Sequence, residues 1–252
     1  MFDFLFKSKK KPKPIFKSLR TDMHCHLIPM VDDGSKSLEE SISCLRTMEQ
    51  VGYKKVFVTP HFQYPRFPNM EEDIKRRFEE LKRCAAEAGL GIELVGVGGE
   101  YRLDPEFMER IKDRALLTVG DDGTMDRGYL LVELSLQHKF PGMMDIISQL
   151  QQQDYVVVLA HPERYPYLNV NGSEIEAIRN MGVLLQVNVL SLDGFYGDVV
   201  RRKAEAMIQR GWVELLGTDT HNVLYAEALV HASNNKRIER ILANNNFLNI
   251  DL

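Results

Sequence analysis

The sequence has little of what disulfide-linked, secreted or membrane-spanning proteins require. Its 252 residues contain three cysteines, Cys25, Cys44 and Cys84, an odd number without a Cys-x-x-Cys spacing. Neither a disulfide framework nor a thiolate zinc site is therefore indicated. No apolar stretch approaches the ~20 residues of a membrane span, and the apolar start of the chain is too short for a signal-peptide core. We expect a protein of the reducing cytoplasm.

The sequence also lacks the motifs of several enzyme classes. No cysteine is followed six positions later by an arginine, which is the spacing of a cysteine-based phosphatase loop. The glycines of residues 96–99 do not form a dinucleotide fingerprint, and no P-loop lysine motif is present.

Positive charge is scarce outside the first 17 residues. The net charge is -4, and residues 1–17 hold six lysines against one acid, so subtracting their +5 leaves about -9 for the rest. Nucleic-acid binding needs a basic footprint and is not expected of an acidic body. We predict a basic, flexible leader over residues 1–17 and one domain over 18–252. The leader, apolar at its start, would also suit a peripheral contact with an anionic membrane.

From residue 19 onward, β-rich runs alternate with helix-like segments, as in the βα units of a parallel sheet. Strands are predicted at about 19–24, 55–59, 93–99, 129–134, 155–160, 183–189 and 212–217. Helices are predicted at about 37–51, 71–88, 104–113, 142–152, 172–181, 197–210 and 224–243. Seven units predict a single-domain α/β barrel, a fold whose functional residues lie where strands end and βα loops begin.

Histidines and acids stand at the ends of several predicted strands. Alternate residues of a strand share a face, so His24 and His26 point the same way. Imidazoles and carboxylates without thiolates are typical ligands of catalytic zinc, manganese or iron. The candidates, more than one ion needs, are His24, His26, His61, Glu100, Glu133, His161, Asp219 and His221.

A site with several metal ions favours hydrolysis at phosphorus. A divalent ion lowers the pKa of water from ~16 toward ~7, so hydroxide is available at neutral pH without a protein nucleophile. Arg164, in the turn after His161, is the first candidate for binding phosphate because guanidinium binds oxyanions bidentately. Arg102 is the second candidate.

In order and spacing, these segments resemble the polymerase and histidinol phosphatase superfamily. Together with the Asp32-Asp33-Gly34 motif, they resemble in particular the bacterial manganese-dependent protein-tyrosine phosphatases of capsule and exopolysaccharide loci, over about residues 19–225. The resemblance implies a distorted TIM-like (β/α)7 barrel. It also implies three divalent ions, with manganese ahead of iron or zinc.

The resemblance further implies how the ligands are shared. One ion would be held by His24, His26, Glu100 and Asp219. A second would share Glu100 and add Glu133 and His161, and a third would take Asp33, His61 and His221. Asp32 remains an alternative to Asp33. The residues expected to take part in catalysis are Asp33, His61, Arg164 and His221.

One departure from the family concerns the segment after Asp219-Thr220-His221. Relatives in firmicute capsule loci place an arginine a few residues after this motif, whereas residues 222–227 contain none. We therefore expect part of the binding of phosphate or peptide to depend on other residues than in these relatives.

These features predict a metal-dependent phosphatase, and the resemblance implies that its substrate is protein phosphotyrosine. Its partner, as the resemblance implies, is the tyrosine-rich tail of a polysaccharide-copolymerase kinase, reached at the inner face of the membrane. Two alternatives stay open: a small-molecule phosphatase such as one acting on histidinol phosphate, and a non-catalytic metal-binding scaffold of polysaccharide assembly. The acidic body disfavours a nuclease.

Overall fold

A computed structural model describes residues 10–111, 116–120 and 128–252. The strands are β1 (Thr21–Asp22), β2 (Lys55–Val58), β3 (His61–Phe62), β4 (Glu93–Val97), β5 (Glu100–Arg102), β6 (Tyr129–Glu133), β7 (Val156–Ala160), β8 (Leu184–Asn188) and β9 (Leu215–Gly217). The helices are α1 (Leu38–Val51), α2 (Glu71–Glu87), α3 (Pro105–Arg110), α4 (Met143–Gln152), α5 (Ser173–Asn180), α6 (Val189–Asp193), α7 (Asp198–Gln209), α8 (Val223–Ala232) and α9 (Lys236–Asn244). Within these ranges, none of the helices is long and apolar enough to cross a bilayer.

The named strands pair in parallel around a ring. One sheet has the order β1-β2-β4, and the other has the order β3-β5-β6-β7-β8-β9. β2 pairs with β4, and the next segments along the chain, β3 and β5, pair with each other in the same way. β3 therefore extends the strand position of β2, and β5 extends that of β4. The nine strand segments of the described residues thus occupy seven positions. This confirms the predicted α/β fold and its seven parallel strands.

The ring is completed between β9 and β1 by a short seam instead of a continuous ladder. A parallel bridge joins Cys25 to Thr220 just beyond the two strands. Beside it, the backbone N–H of His26 donates to Thr220 O at 2.9 Å, and that of Asp219 donates to His24 O at 2.8 Å. The regular pairing of the strands is therefore interrupted where three of the predicted ligands lie.

Buried side chains hold the same seam at its other end. Asp22 accepts hydrogen bonds from the backbone N–H and the hydroxyl of Thr218, each at 2.8 Å. The side chain of Asn249 accepts from Leu216 N at 2.8 Å and donates to Leu216 O at 2.7 Å and Thr21 O at 3.0 Å. Side-chain groups therefore replace the backbone partners that a regular ladder would have supplied.

Apolar side chains fill the barrel beneath the strand ends. Leu131, on the same strand face as Glu133, packs in one buried cluster with Met23, Phe57 and Val158. A larger cluster lies between the strands and the surrounding helices. The carboxyl ends of the strands therefore rest on a buried apolar core.

The helices of the structure differ from the prediction at two places. The single helix predicted over 224–243 is wrong, because α8 ends at Ala232 and α9 begins at Lys236. Asn235 caps α9 by accepting from Arg237 N at 2.9 Å, and serine and asparagine favour such caps over helix interiors. The short helix α6 was not predicted. The end of the helix predicted over 104–113 lies outside the described residues.

Part of the predicted leader packs on the domain. Residues 1–9 lie outside the described residues. Phe16 is fully buried and stacks on Tyr53, with ring centroids 5.3 Å apart. The backbone N–H of Lys13 donates to Ser233 Oγ at 3.1 Å. The packed structure therefore begins before residue 18.

Replacing Asn249 tests whether the seam depends on its side chain. Asn249→Ala would leave one buried N–H and two buried carbonyls without their partner, so we expect the free energy of unfolding to fall by about 2 to 3 kcal/mol. Chemical denaturation followed by circular dichroism measures this loss. Asn246→Ala, at an exposed position in the same segment, is the matched control. Equal stability of the two variants would contradict the role of Asn249.

Candidate metal centre

The structure brings all the predicted ligands together at the carboxyl ends of the strands. His24 and His26 follow β1, His61 opens β3, and Glu100 opens β5. Glu133 ends β6, His161 follows β7, and Asp219 and His221 follow β9. Eight of these side chains form overlapping groups whose ligand atoms lie within 4.8 Å of one another. Asp33 joins them from the loop after β1, with Oδ1 3.4 Å from His61 Nε2.

The imidazoles of His24 and His26 lie close to two carboxylates. His24 Nε2 and His26 Nε2 are 3.2 Å apart. They lie 3.4 and 3.3 Å from Glu100 Oε2, and 3.5 and 3.4 Å from Asp219 Oδ1. Ligand atoms about 2.1 Å from a tetrahedral ion are roughly 3.4 Å apart. His24, His26 and Asp219 therefore form one group that fits a divalent ion, and Glu100 Oε2 lies beside its two imidazoles. All four residues belong to the first set implied by the resemblance.

Glu100 lies at the centre of the cluster. Its side chain is fully buried, and Oε2 makes no hydrogen bond, although His61 Nδ1 is 2.9 Å away. Its other oxygen, Oε1, lies 3.0 Å from His161 Nε2. A buried carboxylate oxygen without a hydrogen bond is costly, and a coordinated cation removes that cost. Glu100 thus has the surroundings expected of a bridging ligand.

The remaining ligands surround His61. Its Nδ1 lies 3.4 Å from Glu133 Oε1, and its Nε2 faces Asp33. His221 Nε2 is 3.6 Å from the same Asp33 oxygen. One group of ligand atoms combines His61 with Glu100 and Glu133, and another combines it with His26 and His221. The resemblance places His61 with His221 and Asp33. The division of the outer ligands between ions therefore stays a prediction.

Neighbouring side chains orient several of the imidazoles. Gln186 Oε1 is 2.8 Å from His24 Nδ1, and Asp32 Oδ2 is 2.9 Å from His26 Nδ1. His221 Nδ1 lies 2.8 Å from the backbone oxygen of Asp219. Holding one ring nitrogen in this way directs the other at the cluster, as is usual for metal-binding histidines.

Asp32 and Asp33 have different surroundings. Asp32 is buried and also accepts from the backbone N–H groups of His61, at 3.0 Å, and Gly34, at 2.9 Å. Both of its oxygens are thus occupied. Asp33 keeps Oδ1 buried without a hydrogen bond, facing the imidazoles. The geometry supports Asp33 as the ligand and Asp32 as the group that orients His26.

Sequence reasoning missed the polar side chains of β8. Gln186 and Asn188 are fully buried, and Asn188 Nδ2 donates to Asp219 Oδ2 at 2.7 Å. The signal that could have found them is a pair of amides on one face of a buried strand, where polar groups need partners. Packing at this point is tight, because a Cβ on Gly217 would lie 2.7 Å from His24 Cβ.

The charges of the cluster support one another. Burial alone would raise the pKa of Glu100, but the fields of His24 and His61 hold it well below its usual value. Burial would lower the pKa of His26, but Asp32 beside it raises the pKa well above its usual value. The carboxylates are thus ionised and attract cations strongly in a low-dielectric setting. A metal ion that binds here takes the place of the protons on the imidazoles. This donor set is the chemistry that divalent ions require.

Backbone conformations that L-residues rarely adopt occur at two of the ligands. His161 has φ 35° and Asp219 has φ 53°, each just after a strand. Such left-handed residues are strained unless the surroundings hold them, and they concentrate at functional sites. Here the turn brings each side chain back over the end of the barrel, toward the other ligands.

A cleft of about 260 Å³ opens above the cluster, lined in part by Arg102, Arg164 and Tyr225. Arg164 Nη1 donates to Asp219 Oδ2 at 2.8 Å. Arg102 Nε donates to Glu133 Oε1 at 3.0 Å. Both candidate phosphate-binding residues therefore reach the cleft, each paired with a predicted metal ligand.

The chain is similar to several known tyrosine-protein phosphatases. CapC of Staphylococcus aureus is 29% identical over 80% of this chain and 77% of its own length. The tyrosine-protein phosphatase YwqE of Bacillus subtilis is 25% identical over the same shares of the two chains. Among solved structures, those of YwqE and of CpsB from Streptococcus pneumoniae, described as metal-dependent tyrosine phosphatases, include a chain that superposes with a TM-score of 0.74. It is 23% identical, over 90% of this chain and 96% of that one.

The profile of one family spans most of the domain. It is described as capsular polysaccharide synthesis, CpsB/CapC, and it matches residues 20–243. That range contains all the predicted metal ligands, the cleft and both arginines. The chain therefore belongs to the CpsB/CapC family of capsular polysaccharide synthesis.

Proposed function

We propose that the chain is a metal-dependent protein-tyrosine phosphatase that acts on a tyrosine kinase of capsular or exopolysaccharide synthesis. The observation that carries this proposal is the convergence of imidazoles and carboxylates on Glu100, beneath a cleft lined by arginines. Relatives named tyrosine-protein phosphatases support it. The kinase is proposed from the family alone.

The cluster is proposed to hold three divalent ions. Manganese is the expected metal, although iron and zinc accept the same ligands. Bound divalent ions supply hydroxide from water at neutral pH and offset the charge of the phosphoryl group. The protein's contribution is to fix the ligands and to keep the cluster away from bulk solvent.

The arginines are proposed to bind the phosphoryl group. The guanidinium of Arg164 is held over the ring of Tyr196, 4.5 Å from its centroid, which fixes its plane. Arg102 reaches the opening from the end of β5. Since a phenol has a pKa of ~10 and leaves readily, a tyrosine ester needs little help from a general acid. Binding and orientation by the two arginines are thus the main tasks left to side chains.

A substrate comparison tests the proposed function. With manganese, the protein should hydrolyse a phosphotyrosine peptide with a higher kcat/KM than histidinol phosphate. Because loss of even an orienting partner typically costs about 10–100-fold, His161→Ala should reduce turnover by more than roughly 100-fold. His138→Ala, at an exposed histidine, is the control. Equal or better turnover of histidinol phosphate would favour a small-molecule phosphatase, and no turnover of either would favour the scaffold.

Metal content distinguishes the two neighbouring aspartates. Asp33→Asn should lower the number of bound manganese ions by about one, because it removes a ligand. Asp32→Asn should keep the full number but weaken their retention by about 10–100-fold, because His26 loses its orienting carboxylate. Elemental analysis after dialysis against a series of chelator concentrations measures both effects. The reverse pattern would make Asp32 the ligand.

The protein is proposed to work at the cytoplasmic face of the membrane, with residues 1–17 in contact with anionic lipid. Each lysine near such a surface contributes about 1 kcal/mol. Because Phe16 is packed on the domain, the test replaces Lys7, Lys9, Lys10 and Lys11 by alanine and leaves the chain length unchanged. We expect the protein to sediment with vesicles containing phosphatidylglycerol, and the variant to stay in solution. Absence of binding by the unaltered chain would refute the contact.

A further inference from the structure

Arg66 lies on the rim of the cleft, in the loop between β3 and α2. Its Nη2 donates to Asp33 Oδ2 at 3.1 Å, and its guanidinium carbon lies 4.7 Å from the centroid of the Phe67 ring. Despite these contacts, 60% of its side chain remains exposed. The guanidinium is thus fixed over the cleft and has room for a second anion.

The loop that carries Arg66 is fastened to the site. Gln63 and Phe67 exchange backbone hydrogen bonds, which close the loop. The side chain of Asn69 donates to His61 O at 2.8 Å. The ring of Phe67 stacks on the His61 imidazole, with centroids 5.5 Å apart and planes at 9°. The loop that carries Arg66 is therefore held in place by contacts with His61, one of the predicted metal ligands. This favours a defined binding role for Arg66.

Arg66 repeats the arrangement of Arg164. Arg164 binds Asp219 Oδ2, while Asp219 Oδ1 faces the imidazoles of the cluster. Arg66 binds Asp33 Oδ2, while Asp33 Oδ1 faces the imidazoles in the same way. Each guanidinium thus takes the outer oxygen of a carboxylate whose inner oxygen is directed at the cluster. The two arginines approach the same space from different sides.

We propose that Arg66 binds the phosphoryl group of the substrate together with Arg164. This inference rests on the proposed function, because it assumes that a phosphoryl group enters the cleft. A phosphate ester has three non-bridging oxygens, and guanidinium pairs with such oxygens through charge-assisted hydrogen bonds. Arg66 supplies them from the side of Asp33. The rival role, contact with an acidic residue of the peptide, would leave the phosphate itself untouched.

The experiment compares Arg66→Gln with Arg66→Lys and with Arg76→Gln. Arg76, in α2, is the matched control, because it pairs with Asp73 at 3.2 Å, is 67% exposed and does not line the cleft. KM and kcat are measured with p-nitrophenyl phosphate, which has no peptide, and with phosphotyrosine peptides with and without flanking acids. Binding of inorganic phosphate to the manganese-loaded protein is measured by calorimetry, and metal content is determined in parallel.

For Arg66→Gln we expect KM to rise about three- to tenfold for every substrate, a moderate change because the side chain is exposed. The Kd for phosphate should rise by the same factor, with kcat nearly unchanged and Arg66→Lys intermediate. An effect confined to acidic peptides, a loss of bound metal, or no difference from Arg76→Gln would each overturn the inference. Absence of turnover by the unaltered protein would instead refute the proposed function.

Discussion

The burial of Glu100 among imidazoles is the constraint on which the site depends. A carboxylate removed from water is unstable unless charge or hydrogen bonds compensate it. Here three imidazole nitrogens lie 2.9–3.4 Å from one oxygen that makes no hydrogen bond. Cations at this point satisfy the carboxylate and the imidazoles together. The buried carboxylate of Glu100, which would destabilise the fold without a cation, is thus a source of affinity for metal.

The same constraint links the metal cluster to the closure of the barrel. The seam between β9 and β1 carries His24, His26 and Asp219, whose backbones also form its hydrogen bonds. A regular ladder would direct side chains alternately to the two faces of the sheet. The irregular seam, with Asp219 at φ 53°, lets its carboxylate meet the two imidazoles. The irregular seam lacks some backbone hydrogen bonds of a regular ladder. The side chains of Asp22 and Asn249 supply hydrogen bonds in their place.

Much of this site could be predicted because each ligand stands in a sequence context that is recognisable locally. A histidine or acid directly after an apolar run is visible in the sequence, and the barrel places all such ends at one opening. Gln186 was not predicted as functional, because an amide in a buried strand acquires its role only from His24, 162 positions away. Asp32 and Asp33 could not be separated for a similar reason. Neighbouring residues of a loop have no fixed alternation, so only the fold shows which one faces the cluster.

The pairing of guanidiniums with ligand carboxylates determines how the cleft can bind a phosphate. Arg164 and Arg66 each already hold an oxygen of a predicted metal ligand, so neither is an isolated cation that a substrate must neutralise. A phosphoryl group bound as proposed would share these guanidiniums with the carboxylates, and its binding free energy would be the difference between two favourable pairings. That difference in free energy is smaller than the interaction free energy of either pairing alone. Such a site would orient a phosphoryl group over the predicted ligands and would still release inorganic phosphate, because each carboxylate pairs fully with its guanidinium again when phosphate leaves.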